Sequence, residues 1–143
     1  MIRRLVGVIG LALLASHALA AEPVEIGIGY LGQAGVRSKL SLAEQPAEND
    51  GVAGARLAIE DNKTTGRFLN QRFTLEEVRL KDGDDVGKSA TALAARNGFI
   101  IADLPADALL KAADALRGSK TVLLNAGSTD DRLREQDCRA NVI

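Results

Sequence analysis

The residues able to do chemistry in this 143-residue chain are few, and their types exclude most reactions. His17 is the only histidine and Cys138 the only cysteine. His17 stands in a segment expected to be removed, so no imidazole remains in the rest of the chain. That eliminates histidine-based triads and most transition-metal ligand sets. Ser128 and Thr129 have no base beside them to activate a hydroxyl. They suit hydrogen bonding to a small ligand, and equally suit capping a turn over Asp130–Arg134. Asp82, Asp84 and Asp85 lack the twelve-residue calcium spacing with its terminal glutamate. They read as a turn followed by a helix cap. Gly27-Ile28-Gly29-Tyr30-Leu31-Gly32 matches G-x-G-x-x-G in its letters. A dinucleotide site needs those glycines to follow a strand and open a helix. Here they lie within a strand pattern, where they let a helix or ligand approach the backbone. No catalytic residue, metal site or cofactor is therefore expected. What the chain offers is side chains suited to binding.

The elements that must position those side chains begin after a leader. Arg3 and Arg4 precede the apolar run Leu5 to Leu14, and Ala18-Leu19-Ala20 forms an A-x-A cleavage site. Residues 1–20 read as a secretory signal peptide, too short for a membrane span. Residues 21–143 amount to one domain. The whole chain has a formal net charge of −1, and the leader takes two arginines with it, so no basic cluster suits nucleic acid. A lone Cys138 in an oxidising compartment is either a free thiol or paired outside this chain.

Strand and helix patterns then alternate. Glu25 to Tyr30 sets Ile26, Ile28 and Tyr30 against Gly27 and Gly29. A long polar segment, Leu31 to Asp50, leads to a helix over 51–68, with Asn49 and Asp50 as caps. Val52, Ala55, Ala58, Ile59 and Asn62 make its narrow, small-residue face, and Gly66 supplies a left-handed stop. Phe73 to Leu80 is a second strand whose alternation slips at Glu76-Glu77, which points to a bulge. Val86, Ala90, Leu93, Ala94 and Asn97 share a second helical face, closed by Asn97-Gly98. Phe99-Ile100-Ile101-Ala102 is the continuous apolar run expected of a strand covered on both faces. Pro105 opens a third helix with Leu109, Ala112, Ala113 and Leu116 inward, ended by Gly118. Thr121 to Leu124 is a fourth strand, and Val142-Ile143 begins another. The order βαβαβαβ predicts an α/β fold with a doubly wound, mainly parallel sheet and helices on both faces. Ligands in such sheets bind beyond the carboxyl ends of the strands, at the switch point. Those ends are Tyr30-Leu31-Gly32, Asp103-Leu104 and Asn125-Ala126-Gly127-Ser128-Thr129.

With these segments in order, the chain resembles the type I periplasmic substrate-binding proteins of the branched-chain amino acid transporter class. The residues carrying the resemblance are Ile26-Gly27-Ile28, Gly54 to Asn62, Val78 to Asp85 and Gly98 to Ala102. Asp61 to Phe68, Asn125 to Ser128 and Asp137 to Asn141 are similar to a narrower subgroup, associated with pyrroloquinoline-quinone-dependent alcohol oxidation. The resemblance spans residues 21–143 and implies the first lobe of a two-lobed protein. Such a protein closes on a small organic solute in the periplasm and delivers it to an ABC permease in the inner membrane. It is not an enzyme. Carried over from the class, the ligand-binding positions are Tyr30, Asp103, Ala126, Ser128 and Thr129. The class usually has a Ser or Thr after its third strand to hold an amino acid carboxylate. Asp103-Leu104-Pro105-Ala106 stands there instead, which points away from an α-amino acid. Only one lobe is represented, so a truncated chain is expected. Two readings of other classes stand beside this one: a secreted dinucleotide-binding enzyme and a stand-alone sensory or interaction domain.

Overall fold

A computed structural model describes residues 22–33 and 49–143. Leader residues 1–20 and the segment 34–48 lie outside the described residues. Four strands form one all-parallel sheet: β1 (Val24–Gln33), β2 (Gln71–Leu80), β3 (Phe99–Asp103) and β4 (Val122–Asn125). The spatial order is β2-β1-β3-β4, and Val142 bridges to Leu123 in parallel, beyond β4. Helices α1 (Asp50–Phe68), α2 (Val86–Ala94) and α3 (Ala106–Ala115) supply the crossovers, and a 3-10 turn spans Asp131–Arg134. The doubly wound α/β reading of the sequence holds.

Strand parity divides the side chains into two layers. Leu31, Ile100, Ala102 and Leu123 point to the face covered by α2 and α3. There they meet Ala90 and Leu93 of α2 and Leu109, Ala112 and Ala113 of α3, all essentially solvent-free. Gly27 belongs to the same face. A Cβ there would stand 2.8 Å from Asn97 Oδ1, so the missing side chain lets the end of α2 reach the strand. On the opposite face, Tyr30 packs with Val52 and Ala55 of α1, flanked by Leu75 and Ile101.

Several local expectations are revised. Helix α1 buries Val52, Ala55, Ile59 and Gly66, whereas Ala58 and Asn62 face solvent. The Asn62 amide instead donates to the Ala58 carbonyl at 2.8 Å. Gly66 does not stop the helix. A Cβ on it would lie 2.8 Å from the Gln71 carbonyl oxygen, so its role is close packing on β2. The left-handed residue is Asn70, with φ 53°, just before β2. Asn49 makes no side-chain cap; Asp50 Oδ1 accepts from the Gly51 N–H at 2.8 Å. Asp85 does cap α2, accepting from the Lys88 N–H at 3.0 Å.

Strand β2 has no bulge, since it pairs with β1 residue for residue from Val24–Gln71 to Gln33–Leu80. The break in alternation has a different cause. At an edge strand, each face can send a carboxylate past the helix covering it. Glu76 pairs with Arg96 on the α2 side, and Glu77 takes Arg56 of α1 through Nε at 2.7 Å and Nη2 at 2.6 Å. These guanidiniums hold both carboxyls below their usual range. Among the described residues, strand β3 is not fully covered on both faces either. Ile100 is fully buried, but Phe99 is 46% exposed, because α1 packs chiefly over β2 and β1.

Candidate functional site

The switch point lies between β1 and β3, because the chain leaves β1 toward β2 and then crosses to the other side. Three elements meet there. Tyr30 belongs to β1, Asp103 is the last residue of β3, and the first turn of α1 crosses above them. The Tyr30 hydroxyl donates to Asp103 Oδ2 at 2.6 Å. Gly32 makes room for this: a Cβ there would lie 2.7 Å from the Tyr30 ring, which folds over the strand at that point. Gly51 closes the arrangement from above. A Cβ on Gly51 would collide with Asp103 Oδ2 and stand 2.9 Å from the Tyr30 hydroxyl oxygen. The N-terminus of α1 can therefore approach the carboxylate this closely only with glycine in that position.

The sheet register extends the site sideways. Gly32 is paired with Arg79 on β2 and with Asp103 on β3. Paired residues share a face, so Arg79, Gly32 and Asp103 form one row along the carboxyl edge. A cation and an anion thus flank a position without a side chain. Burial raises the Tyr30 pKa first, and the hydrogen bond to Asp103 and the charge of Asp103 add to it. Arg79 opposes this and Asp50 reinforces it. The phenol therefore stays protonated well above its usual range and remains a donor to Asp103.

The loop after β4 borders the same edge. The Ala126 N–H donates to the Ala102 carbonyl at 3.0 Å. Gly127 lies directly on the β3–α3 connection, where a Cβ would meet the Asp103 carbonyl carbon at 2.7 Å. The Asn125 side chain shapes this loop. Its Oδ1 accepts from the Ser128 N–H at 3.0 Å, and its Nδ2 donates to the Ser128 carbonyl at 2.8 Å.

Of the residues singled out from sequence, Tyr30 and Asp103 are in direct contact. Tyr30 is not beyond its strand, however. It sits three residues short of the β1 terminus and is 3% exposed, so it is a buried support for Asp103. Ala126 and Thr129 are exposed beside the cleft. Ser128 is half-buried, and its Oγ accepts from the Asp130 N–H at 3.3 Å. Asp130 in turn caps the 3-10 turn through the Arg132 N–H at 3.2 Å. The sequence reading missed Gly51 and Arg79, and it named Asn125 only as part of a strand end. A glycine directly behind a helix-opening Asp50 was the available signal for Gly51. For Arg79, only knowledge of the register could place it beside Gly32.

A second depression, of about 910 Å3, runs between α1 and the edge strand β2, lined by Arg56, Ile59, Lys63, Phe73 and Leu75 among others. None of the switch-point residues lines it. Its charges are largely engaged with one another, as in Arg56–Glu77 and Lys63–Glu60. It is the open angle between a helix and a sheet edge, whereas the switch point gathers polar groups from three elements. Among the described residues no helix is long and apolar enough to cross a membrane. Cys138 is a free, exposed thiol among those residues. No protein-family model matches the chain, and no curated protein matches it. The fold is thus established as a doubly wound α/β domain, with its polar cluster at the switch point.

Proposed function

We propose that this chain is a non-enzymatic solute-binding lobe that works in the periplasm and hands a small organic solute to an ABC-type permease. The observation carrying the reading is the Tyr30–Asp103 hydrogen bond across the β1/β3 switch point, roofed by Gly51 of α1. A binding site needs a few polar groups fixed in place on rigid elements, with loops able to move around them. Here two strands and a helix fix Asp103, and the Asn125–Thr129 loop lies alongside. The one hydroxyl of the cluster seated on a carboxylate, Tyr30, is buried and keeps its proton, which suits support of a binding carboxylate. The segments that resemble the type I periplasmic binding proteins agree with this role, as does the leader pattern in residues 1–20. The link to quinoprotein alcohol oxidation belongs to the same proposal and rests on that resemblance alone.

Amide-resolved NMR of the purified chain tests the reading, using a panel of small alcohols, amines, acids and amino acids. Saturable shifts gathered at 30–33, 50–52, 103–104 and 125–129 are expected. Shifts gathered instead along the α1–β2 groove, or none from any member, would refute it. A stand-alone interaction domain is the second reading, favoured by the half-exposed apolar strip of Phe99, Ile101, Val122 and Leu124. Sedimentation would favour it by showing stable self-association that no solute alters.

A further inference from the structure

Building on the solute-binding reading, we infer that the switch-point site takes the hydrogen-bond-donor end of its solute, a hydroxyl or ammonium group, on Asp103, and turns away a carboxylate at that end. The first turn of a helix is ordinarily the part of such a cleft that attracts an anion, through its free N–H groups and positive dipole end. In this chain that place is already filled from within. Asp103 Oδ2 lies directly against Gly51 of the α1 first turn, and Asp50 Oδ1 takes the Gly51 N–H. A ligand carboxylate brought to the same spot would meet the Asp103 carboxylate, with the Gly51 N–H already taken.

Several neighbouring polar groups are engaged as well. The Tyr30 proton is committed to Asp103 Oδ2, and the burial that raises the phenol's pKa keeps it committed. The Asn125 side chain is held to Ser128 through Oδ1 and one N–H of its amide. The Ala126 N–H is spent on the Ala102 carbonyl. Asp103 Oδ1 has no partner among the described residues, while Oδ2 is fixed by Tyr30. An ionised carboxylate only accepts hydrogen bonds. Half-buried and held by one oxygen, Asp103 offers the other to a donor, and a charge-assisted bond of this kind is among the stronger ones. Arg79 stands on the far side of Gly32 and can meet an acceptor elsewhere on the solute, so the restriction concerns only the end seated on Asp103.

Calorimetry on the unaltered chain with four probes tests this: glycerol for the hydroxyl source, ethanolamine for the ammonium source, and acetate and sulfate as anions. Saturable binding by glycerol or ethanolamine, with neither anion binding, is expected; which of the two binds identifies the donor. Asp103→Asn, which keeps shape but loses charge, should weaken an ammonium at least about tenfold and a hydroxyl less, since hydrogen bonds to charged groups exceed neutral ones. Tyr30→Phe, which frees Oδ2 for the solute, should tighten donor binding and still leave both anions unbound. Should Asp103→Asn not fold, the probe pattern with the unaltered and Tyr30→Phe chains still decides. Saturable acetate binding that shifts the amides of 30–33 and 103–104 would overturn the donor assignment and leave the solute-binding reading standing. Silence from all four probes and from the wider panel would remove both.

Discussion

The two faces of the sheet are built for different purposes. On the α2/α3 face, Leu31, Leu93, Ile100, Leu109 and Leu123 are essentially solvent-free, and every strand but β2 contributes a fully buried side chain. On the α1 face, one helix covers β1 and β2, a buried tyrosine is spent on a carboxylate, and Phe99 is 46% exposed. The first face supplies stability through apolar area removed from water. The second gives up area and gathers polar groups at its carboxyl edge. Polarity and partial exposure coincide there among the described residues, as the proposed solute site requires.

The sharpest way to break this comparison is to remove core volume on one face and equal chemistry on the other. Leu93→Ala should lower unfolding free energy by about 2–5 kcal/mol, since the side chain is 1% exposed and its neighbours cannot close the gap. Phe99→Ala should cost about 1 kcal/mol or less despite the larger side chain, because nearly half of it already meets water. Urea melts of both variants check this, and equal losses would mean the faces are energetically alike. Next comes Gly51→Ala. Its Cβ would drive Asp103 off its position, so a loss of about 1–3 kcal/mol is expected from overpacking. The Tyr30–Asp103 bond should open as well, visible as a phenol titrating nearer its ordinary range.

A smaller effect, about 1–2 kcal/mol, is expected for Tyr30→Phe, which removes one hydrogen bond to a carboxylate. The associated pH dependence has a definite sign. The phenol pKa is raised in the folded chain, so the folded state holds its proton where the unfolded state releases it. Stability from this group is complete below about pH 10, the unfolded value, and falls as pH rises beyond it. Alkaline melts should show that loss in the unaltered chain and not in Tyr30→Phe. The smallest effect is at Asp114, which Arg139 and Arg117 hold down to about 2. Arg139 Nε reaches it at 2.8 Å from the C-terminal segment. This contribution is present above the ordinary aspartate value near pH 4 and fades as pH falls toward 2. Asp114→Asn should therefore loosen the amides of 137–142 without a measurable change in the global melt.

The alternation of elements was legible because each helix shows its period and each boundary its turn chemistry. Leu109, Ala112, Ala113 and Leu116 were recognisable as one face of α3, and Gly118 as its stop, with φ 84°. The misreadings share one origin. Glu76-Glu77 suggested a bulge, Gly66 a terminus and Phe99 to Ala102 a doubly covered strand, and each depends on what lies across the sheet. Local sequence does not report whether a strand is at an edge or how far a helix extends over it. Asp103 was placed correctly at a strand end, but its bond to Tyr30 needs the β1–β3 pairing. Arg79 enters the site only through the register that sets it beside Gly32.

The most direct test uses a probe the chain already carries. Tyr30 is the only tyrosine and there is no tryptophan, so emission excited at the phenol band reports on the switch point alone. Titrating the unaltered chain with the solutes that shift amides at 103–104 should change that emission saturably, as a ligand on Asp103 redistributes the carboxylate between phenol and solute. Leu93→Ala, on the other face, should leave the half-saturation point unchanged wherever the chain remains folded. Emission that stays constant through saturation of the amide shifts would contradict the assignment of Tyr30 and Asp103 to the solute site.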